Sequence, residues 1–274
     1  MPRGAYWSED EDRLLIENSD LPITDVVDLL PGRDYGGVLC RRSRLIRRGA
    51  IERKIQQPLD RSFTLNDLSR IGQQVIISGM FGDGSIHFDA RRQHTAYRII
   101  HGIDQRDYAE WKARQIPELS PSGPHIEHEQ DHPSVMWFTR HVPFLRRLHH
   151  DFYRIEEGTR KKGWPSTEWA AKLDPLGFLL YVLDDGTRER HVRASTRIFS
   201  RRASLGEMRA TASVWERRFG VTFSVTANNY DARCLNIRRD ALNVLLPVWQ
   251  RLFDEHGLPE CMRYKIVDDP RETR

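Results

Sequence analysis

Apolar residues recur at helical spacing through the first fifty positions, and beyond them helical and strand-like periods alternate twice. Leu14 and Leu15, with Trp7, form the inward side of a first helix. Ser8 and Glu11 open it as a capping-box pair, with Glu9, Asp10 and Asp12 in its first turn. The spacing of Val26, Val27, Leu29 and Leu30 predicts a second helix over 23–30, stopped by Pro31-Gly32. A third starts near Tyr35 and carries Val38, Leu39, Ser43, Leu45 and Ile46, although Gly36-Gly37 is a weak start for a helix. The pattern lapses between 51 and 62, which reads as a linker around Gln56-Gln57-Pro58.

From Thr64 onward the order of elements repeats. A helix over 65–81, begun by Thr64 or Asn66 and closed by Gly84, leads into strands at 85–90 and 96–102. A helix over 104–116, strands at 125–129 and 135–139, and a helix over 142–155 complete the unit. The second unit runs helix 174–185, strand 191–199, helix 205–219, strands 221–226 and 233–239, and helix 241–253. Identity between the halves is low, so the repeated order carries the duplication.

With 274 residues, the chain has room for one large domain or two smaller ones with an ample core. The net charge of +4 permits a polyanionic partner without requiring one, and arginine supplies most of the positive charge. The charge is segregated near the N-terminus. Residues 8–34 carry nine acidic side chains against Arg13 and Arg33, whereas 41–54 carry Arg41, Arg42, Arg44, Arg47, Arg48, Arg53 and Lys54 against Glu52 alone. A third helix that bears the positive charge is what a helix-turn-helix needs to enter a major groove. Cys40, Cys234 and Cys261 form no C-x-x-C pair, which argues against a disulfide framework and suits a reducing compartment. No apolar run approaches a membrane span, and the N-terminus has no signal-peptide core, so an intracellular, cytoplasmic protein is expected.

Two segments concentrate the candidate chemistry. Ile76-Ile77-Ser78-Gly79-Met80-Phe81-Gly82-Asp83-Gly84 and Phe178-Leu179-Leu180-Tyr181-Val182-Leu183-Asp184-Asp185-Gly186 are apolar helical runs ending in an acidic residue and glycine. Their terminal carboxylates, Asp83 and Asp185, are 102 positions apart. One such run is ordinarily a buried helix with a C-terminal turn. Two, each leading into strands, point to a pair of carboxylates brought together. Ser78 and Gly82 share a helical face and allow close approach of a second helix, whereas Leu180 and Asp184 at the corresponding positions make the seam asymmetric.

Both segments resemble the signature helices of the LAGLIDADG homing endonucleases in their single-chain, two-motif form. The order helix, two strands, helix, two strands, helix resembles that family's αββαββα half. The resemblance covers residues 64–266 and implies an α+β fold: a pseudo-twofold duplicated core whose antiparallel sheets form a DNA-binding saddle. The W-S-x-x-E-D opening, the Leu-Pro-Gly-Arg turn and the Arg-Arg-Ser-Arg-Leu ending resemble a Myb/SANT-like helix-turn-helix, which adds a small all-α module. The implied division is 1–50 helix-turn-helix, 51–63 linker, 64–157 first repeat, 158–173 inter-repeat linker, 174–266 second repeat and 267–274 tail.

The resemblance also implies roles. Asp83 and Asp185 would hold divalent ions, with the carbonyl oxygens of Gly82 and Asp184 as further ligands. Mg²⁺ is the expected cofactor, with Mn²⁺ or Ca²⁺ able to substitute for binding. Lys162, in a K-x-x-P context 23 residues before Asp185, and Lys265, which with Pro259, Met262 and Tyr264 resembles the family's P-x-x-x-Y-K ending, stand for the family's basic residues at the two half-sites. Strand alternation nominates DNA-contacting residues on outward faces. They are Ser85, His87, Arg91 and Arg98 in the first half, and His191, Arg193, Ser195, Arg197, Thr222, Ser224, Asn236 and Arg238 in the second. Arg41, Arg42, Arg44 and Arg47 are the candidates in the N-terminal module. The histidine gaps around His125, His128 and His132 lack an accompanying cysteine and make a poor zinc site.

The expectation is a monomeric, site-specific endonuclease that cuts both strands of a long asymmetric duplex and leaves 3′ extensions, in a bacterial or phage-infected cell. Two alternatives share the fold: an intron RNA maturase and a cleavage-inactive transcription regulator. The regulator predicts lost carboxylates, and here both are present.

Overall fold

In this computed structural model the described residues are 6–19, 21, 23–51, 62–89, 94–127, 133–156, 159–189, 195–227 and 232–267. The chain divides into two compact units, Met1–Pro58 and Leu59–Arg274.

The first unit contains α1 (Glu9–Glu17), α2 (Ile23–Asp28) and α3 (Tyr35–Arg47). The Ser8–Glu11 capping box is present: the Ser8 hydroxyl accepts the Glu11 N–H at 3.2 Å, and the Glu11 carboxylate accepts the Ser8 N–H at 2.8 Å. Leu15, Val26, Leu30, Val38, Leu45 and Ile51 make its core. α2 ends two residues before its predicted limit, yet Leu30 beyond it is still buried. Asp34 caps α3 by accepting the Gly37 N–H at 2.6 Å. The glycine pair therefore lies in a capped first turn, where its low propensity costs least.

The second unit begins with a 3₁₀ turn at Leu65–Asp67, followed by α4 (Arg70–Phe81). The single helix predicted over 65–81 is thus two elements. Asp67 pairs with Thr64 to close the short turn, Leu68 is extended, and Ser69 caps a fresh helix by accepting the Gly72 N–H. β1 (Ser85–Asp89), β2 (His94–Gly102), α5 (Arg106–Arg114), β3 (Ser122–Glu127), β4 (Ser134–Phe138) and α6 (Pro143–Phe152) follow. α6 stops short of residue 155, because the chain passes into a hairpin of β5 (Tyr153–Glu156) and β6 (Thr159–Lys162), and then into α7 (Thr167–Lys172). The second half comprises α8 (Pro175–Asp185), β7 (Gly186–Glu189), β8 (Ser195–Ser200), α9 (Leu205–Phe219), β9 (Ser224–Ala227), β10 (Arg233–Ile237), α10 (Arg239–Glu255) and a 3₁₀ turn at Glu260–Lys265.

The two four-stranded sheets are antiparallel and have the same strand order, β1-β2-β4-β3 and β7-β8-β10-β9. Register makes the halves comparable residue by residue. Ser85, just after Gly84, faces Arg98, and Thr187, just after Gly186, faces Arg197. Both inner strands alternate, β8 as predicted, with Thr95, Tyr97, Ile99 and His101 buried on β2, and Thr196, Ile198 and Ser200 buried on β8. α5 and α6 pack on β2, while α9 and α10 pack on β10 and β8.

α4 and α8 pack against each other as the centre of this unit, and both are buried over most of their length. Polar ties fix their N-terminal ends. Gln74 accepts the Asp174 N–H at 3.0 Å and donates to the Lys172 carbonyl at 3.2 Å, while Asp174 caps α8 through the Gly177 N–H at 2.9 Å. Aromatic packing fixes the rest: Phe81 lies 5.6 Å from Trp164, 5.6 Å from Tyr181 and 5.5 Å from Trp215 between ring centroids. Both motif ends are thereby held by a rigid core.

Candidate active site at the paired helix ends

The asymmetry of the helix seam resolves into a knob and a hole. A Cβ added to Gly82 would lie 2.6 Å from the Asp184 Cβ and 2.8 Å from its Oδ2, so only glycine leaves room for Asp184. Gly79 and Gly84 serve a different purpose: the Tyr97 hydroxyl lies between them and donates to the Val75 carbonyl at 3.1 Å.

Asp83 and Asp185, at the ends of these helices, feel each other's charge. Asp83 has a side chain 41% exposed, with His101 Nδ1 3.6 Å from its Oδ2. Burial, then the negative charges of Asp184 and Asp185, push the Asp83 carboxyl up to about 7, against the opposing pull of Lys112 and Lys265. Burial and Asp184 raise Asp185 in the same direction, opposed first by Arg202, whose guanidinium is 3.6 Å away.

Asp184, one residue earlier, has a fully buried side chain. Its Oδ1 accepts from Lys112 Nζ at 2.5 Å and from the Tyr108 hydroxyl at 3.0 Å. Burial disfavours its charge, but the Lys112 ammonium holds its carboxyl below the usual carboxylate range. Its Oδ2 is buried without a hydrogen-bond partner. Lys112 also reaches His101 Nε2 at 3.2 Å. Desolvation, then the charge of Lys112, lower His101 to about 3, so its imidazole is neutral at physiological pH.

The two lysines singled out in the sequence lie at these helix ends, one on each motif. Lys162 Nζ donates to the carbonyls of Gly79 at 3.0 Å, Gly82 at 2.6 Å and Gly84. Lys265 Nζ donates to the carbonyls of Leu183 at 2.6 Å and Asp184 at 3.1 Å. Each ammonium thus caps carbonyls that a helix C-terminus leaves unpaired, and opposes the negative end of the dipole. Burial pulls both lysines below their ordinary pKa, Lys162 strongly. The Gly82 and Asp184 carbonyls, expected as ion ligands, each already accept one ammonium hydrogen, which leaves one lone pair apiece.

A divalent ion fits this donor set. Among the described residues, ligand atoms of Asp83, His101 and Asp184 lie within 4.8 Å of one another. The unpartnered Asp184 Oδ2 and the raised carboxyls of Asp83 and Asp185 show negative charge still uncompensated there. Hard carboxylate oxygens suit Mg²⁺ or Mn²⁺. His101 does not belong to that donor set. The Lys112 ammonium can only donate, so Nε2 accepts, and the one proton of the neutral ring lies on Nδ1.

The expected DNA-facing residues are more scattered. Arg98 Nε donates to Ser85 Oγ at 3.1 Å across β1 and β2, and His87 is exposed on β1. Ser195 and Arg197 share the outer face of β8, and Asn236 of β10 bonds Thr226 at 3.2 Å and the Ser224 carbonyl at 3.3 Å. Thr222 precedes β9 and Arg238 is the N-cap position of α10, so neither lies within a strand. Arg91, His191 and Arg193 fall outside the described residues. In the first unit, Arg41 pairs with Asp12 at 2.6 Å and Arg42 donates to the Leu21 carbonyl at 2.9 Å, while Arg44 and Arg47 are exposed on α3.

Sequence reasoning passed over His101, Tyr108, Lys112 and Arg202. A signal for three of them existed: Tyr108 and Lys112 are four apart on the apolar face of α5, and His101 continues the inward alternation of Tyr97 and Ile99. A charged side chain on a buried face needs a partner.

Comparison with known proteins places this geometry. Residues 73–245 match the family described as the LAGLIDADG DNA endonuclease family. Curated relatives include Protein RecA of Mycolicibacterium chitae, 29% identical over 114 residues that are 41% of this chain and 25% of that protein. Protein RecA of Mycolicibacterium flavescens is 27% identical over 114 residues, with the same coverage of 41% and 25%. The chain therefore spans about a quarter of the length of the curated relatives it matches. Among solved structures, the homing endonuclease I-WcaI bound to its DNA recognition sequence is similar in fold, with a TM-score of 0.56 and 16% identity, covering 75% of this chain and 88% of that one. With the matched segment containing both acidic helix ends and most of both sheets, the chain belongs to the LAGLIDADG DNA endonuclease family.

Proposed function

We propose that this protein is a site-specific DNA endonuclease that hydrolyses one phosphodiester in each strand of a long asymmetric target, leaves 3′ extensions and acts as a monomer. The observation that carries this reading is the convergence of Asp83 and Asp185 at the ends of two packed helices, with Lys162 and Lys265 on the same ends. One chain supplies both halves of a two-strand site.

In this reading Asp83, Asp185 and the free Asp184 oxygen hold divalent ions, Mg²⁺ by preference, with Mn²⁺ or Ca²⁺ able to occupy the same oxygens. Bound there, the ions supply Lewis-acid stabilisation to the charge that develops on the phosphate. Asp83 and Asp185 position the reacting groups. Lys162 and Lys265 fix the carbonyl ends of their helices and keep positive charge beside the carboxylates. The outer sheet faces, with Ser85, His87, Arg98, Ser195, Arg197, Ser224 and Asn236, lie along the duplex. The first unit acts as a helix-turn-helix whose α3 presents Arg44 and Arg47 to phosphates.

The test is selection of a cleavable site from a randomised duplex library, followed by incubation with Mg²⁺ or with EDTA. A metal-dependent double-strand break supports the reading, and tight binding with no break in Mg²⁺ or Mn²⁺ refutes it in favour of the cleavage-inactive regulator. Asp83→Asn and Asp185→Asn each abolish cleavage while duplex affinity is retained.

A further inference from the structure

The two halves give their terminal carboxylates different neighbours. By register, Arg98 of β2 corresponds to Arg197 of β8, which makes Ser200 the counterpart of His101. Ser200 turns its hydroxyl to the Arg202 N–H at 3.1 Å, and the Arg202 guanidinium then approaches Asp185 at 3.6 Å and donates to the Phe81 carbonyl. Asp185 therefore has a cation beside it. In the first half the neighbour is a neutral ring with side-chain exposure of 1%, whose placement begins in the other half: Asp184 of the second motif binds Lys112, and Lys112 donates to His101 Nε2. With Nε2 accepting, the ring proton lies on Nδ1, which donates to Gln105 Oε1 at 3.2 Å and sets the positive edge of the ring 3.6 Å from Asp83 Oδ2, an electrostatic contact longer than a hydrogen bond.

We propose that Asp184, Lys112 and His101 form a buried relay that fixes the Asp83 carboxylate, with His101 as a positioning residue, so that cutting of one DNA strand depends on the relay and cutting of the other does not. Motif symmetry supplies no such chain. The first motif has Gly82 where the second has Asp184, so there is no carboxylate to start a second relay. The Tyr108 hydroxyl on Asp184 Oδ1 completes the buried anchor. The relay also couples the halves directly, because the residue that orients the first motif's carboxylate is set by the second motif's helix.

This inference rests on the nuclease reading, and the experiment separates the two. The full chain is incubated in Mg²⁺ with a selected duplex labelled on each strand, and the two nicking rates are followed separately. His101→Leu removes the donor, while His101→Asn keeps a donor near the Nδ1 position. Asp184 is left unchanged because its free oxygen is placed among the ion ligands, and Lys112→Met is not used because it strands that buried carboxylate; melting curves confirm folding in each case. The expected result is that His101→Leu slows one strand by about 10-fold or more and the other by less than about 3-fold, the size typical of partners that orient a metal-binding carboxylate. His101→Asn restores the slowed strand, and Arg202→Met slows the opposite strand. Equal slowing of both strands, no slowing, or the same strand slowed by His101→Leu and Arg202→Met would each overturn the relay. Wild-type protein that cuts neither strand overturns the nuclease reading on which it rests.

Discussion

Asp184 fills the space that Gly82 leaves at the crossing of the two motif helices, with a Cβ on Gly82 only 2.6 Å from the Asp184 Cβ. Neither helix can shift to accommodate a methyl there, since Gln74, Asp174 and the aromatic cluster around Phe81 hold them at both ends. Gly82→Ala is therefore expected to cost about 2–3 kcal/mol through overpacking, well outside any gain in helix propensity. Gly206→Ala is the control, because a Cβ at that helical position meets nothing within 4 Å. It is expected to be neutral or stabilising by up to about 1 kcal/mol. Urea unfolding of both variants checks the pair, and equal stabilities would refute the tight crossing.

The raised carboxyl of Asp83 makes metal-free stability depend on pH with a definite sign. Its folded value of about 7 lies above the ordinary carboxylate value near 3.8, so the folded state holds the proton more tightly. Stability from this group is complete below the unfolded value and is lost as pH rises towards 7. Asp83→Asn removes that loss. In EDTA it is expected to be more stable than wild type by about 1–2 kcal/mol at pH 8, discounted because the carboxylate is partly open to water, and about equal at pH 4. Mg²⁺ should raise the melting temperature of the wild type at pH 8 far more than at pH 5.5, since it competes with the proton. Thermal melts across that range, with and without Mg²⁺, decide the matter.

How far the sequence reveals this site depends on the distance over which each contact acts. The motif ends, the caps at Ser8 and Ser204, and the alternation on β2 and β8 follow from local spacing and appear in the structure. α9 matches its predicted limits because Ser204 with Glu207 opens it and Gly220, in the left-handed conformation, closes it. β7 was not legible, since Gly186-Thr187-Arg188-Glu189 has no apolar alternation and is a strand only by pairing with β8. The polar β5–β6 hairpin was hidden for the same reason. The Lys112–Asp184 pair joins residues 72 positions apart, and only the tertiary packing that seats α5 on β2 and β4 brings them together. Long-range polar contacts leave no periodic trace.

Lys162 and Lys265 are both buried with their ammonium groups on helix-end carbonyls, which predicts linked effects on fold and activity. Lys162→Met leaves the Gly79, Gly82 and Gly84 carbonyls without this donor, and is expected to destabilise by about 2–3 kcal/mol. Lys265→Met does the same to Leu183 and Asp184. Cleavage in each variant is expected to fall by about 100-fold or more under conditions where the protein is still folded, because the charge beside the carboxylates is lost. Single-turnover cleavage measured below the midpoint of thermal unfolding separates the two effects. Full activity in a folded Lys162→Met variant would leave capping as the lysine's whole role.

The arginines of α3 divide into two groups with opposite expectations. Arg41 is bonded to Asp12 at 2.6 Å with its guanidinium 5.8 Å from the Trp7 ring centroid, and its side chain is 15% exposed. Its removal strands a part-buried carboxylate, so Arg41→Ala should speed amide exchange in α1 and α3 of the full chain. Arg44 and Arg47 are exposed, and among the described residues Arg47 makes a single long contact, 3.4 Å to the Ser43 carbonyl. Arg44→Ala and Arg47→Ala should leave amide exchange unchanged. Each should weaken binding to non-specific duplex and reduce the slope of log affinity against log salt by about 1, the signature of one lost phosphate contact. Titrations at several salt concentrations, set beside exchange measured by mass spectrometry, test both halves of the division. An unchanged slope in both variants would remove α3 from the DNA-binding surface, because a helix that touches phosphate cannot lose a contacting guanidinium without releasing fewer counterions.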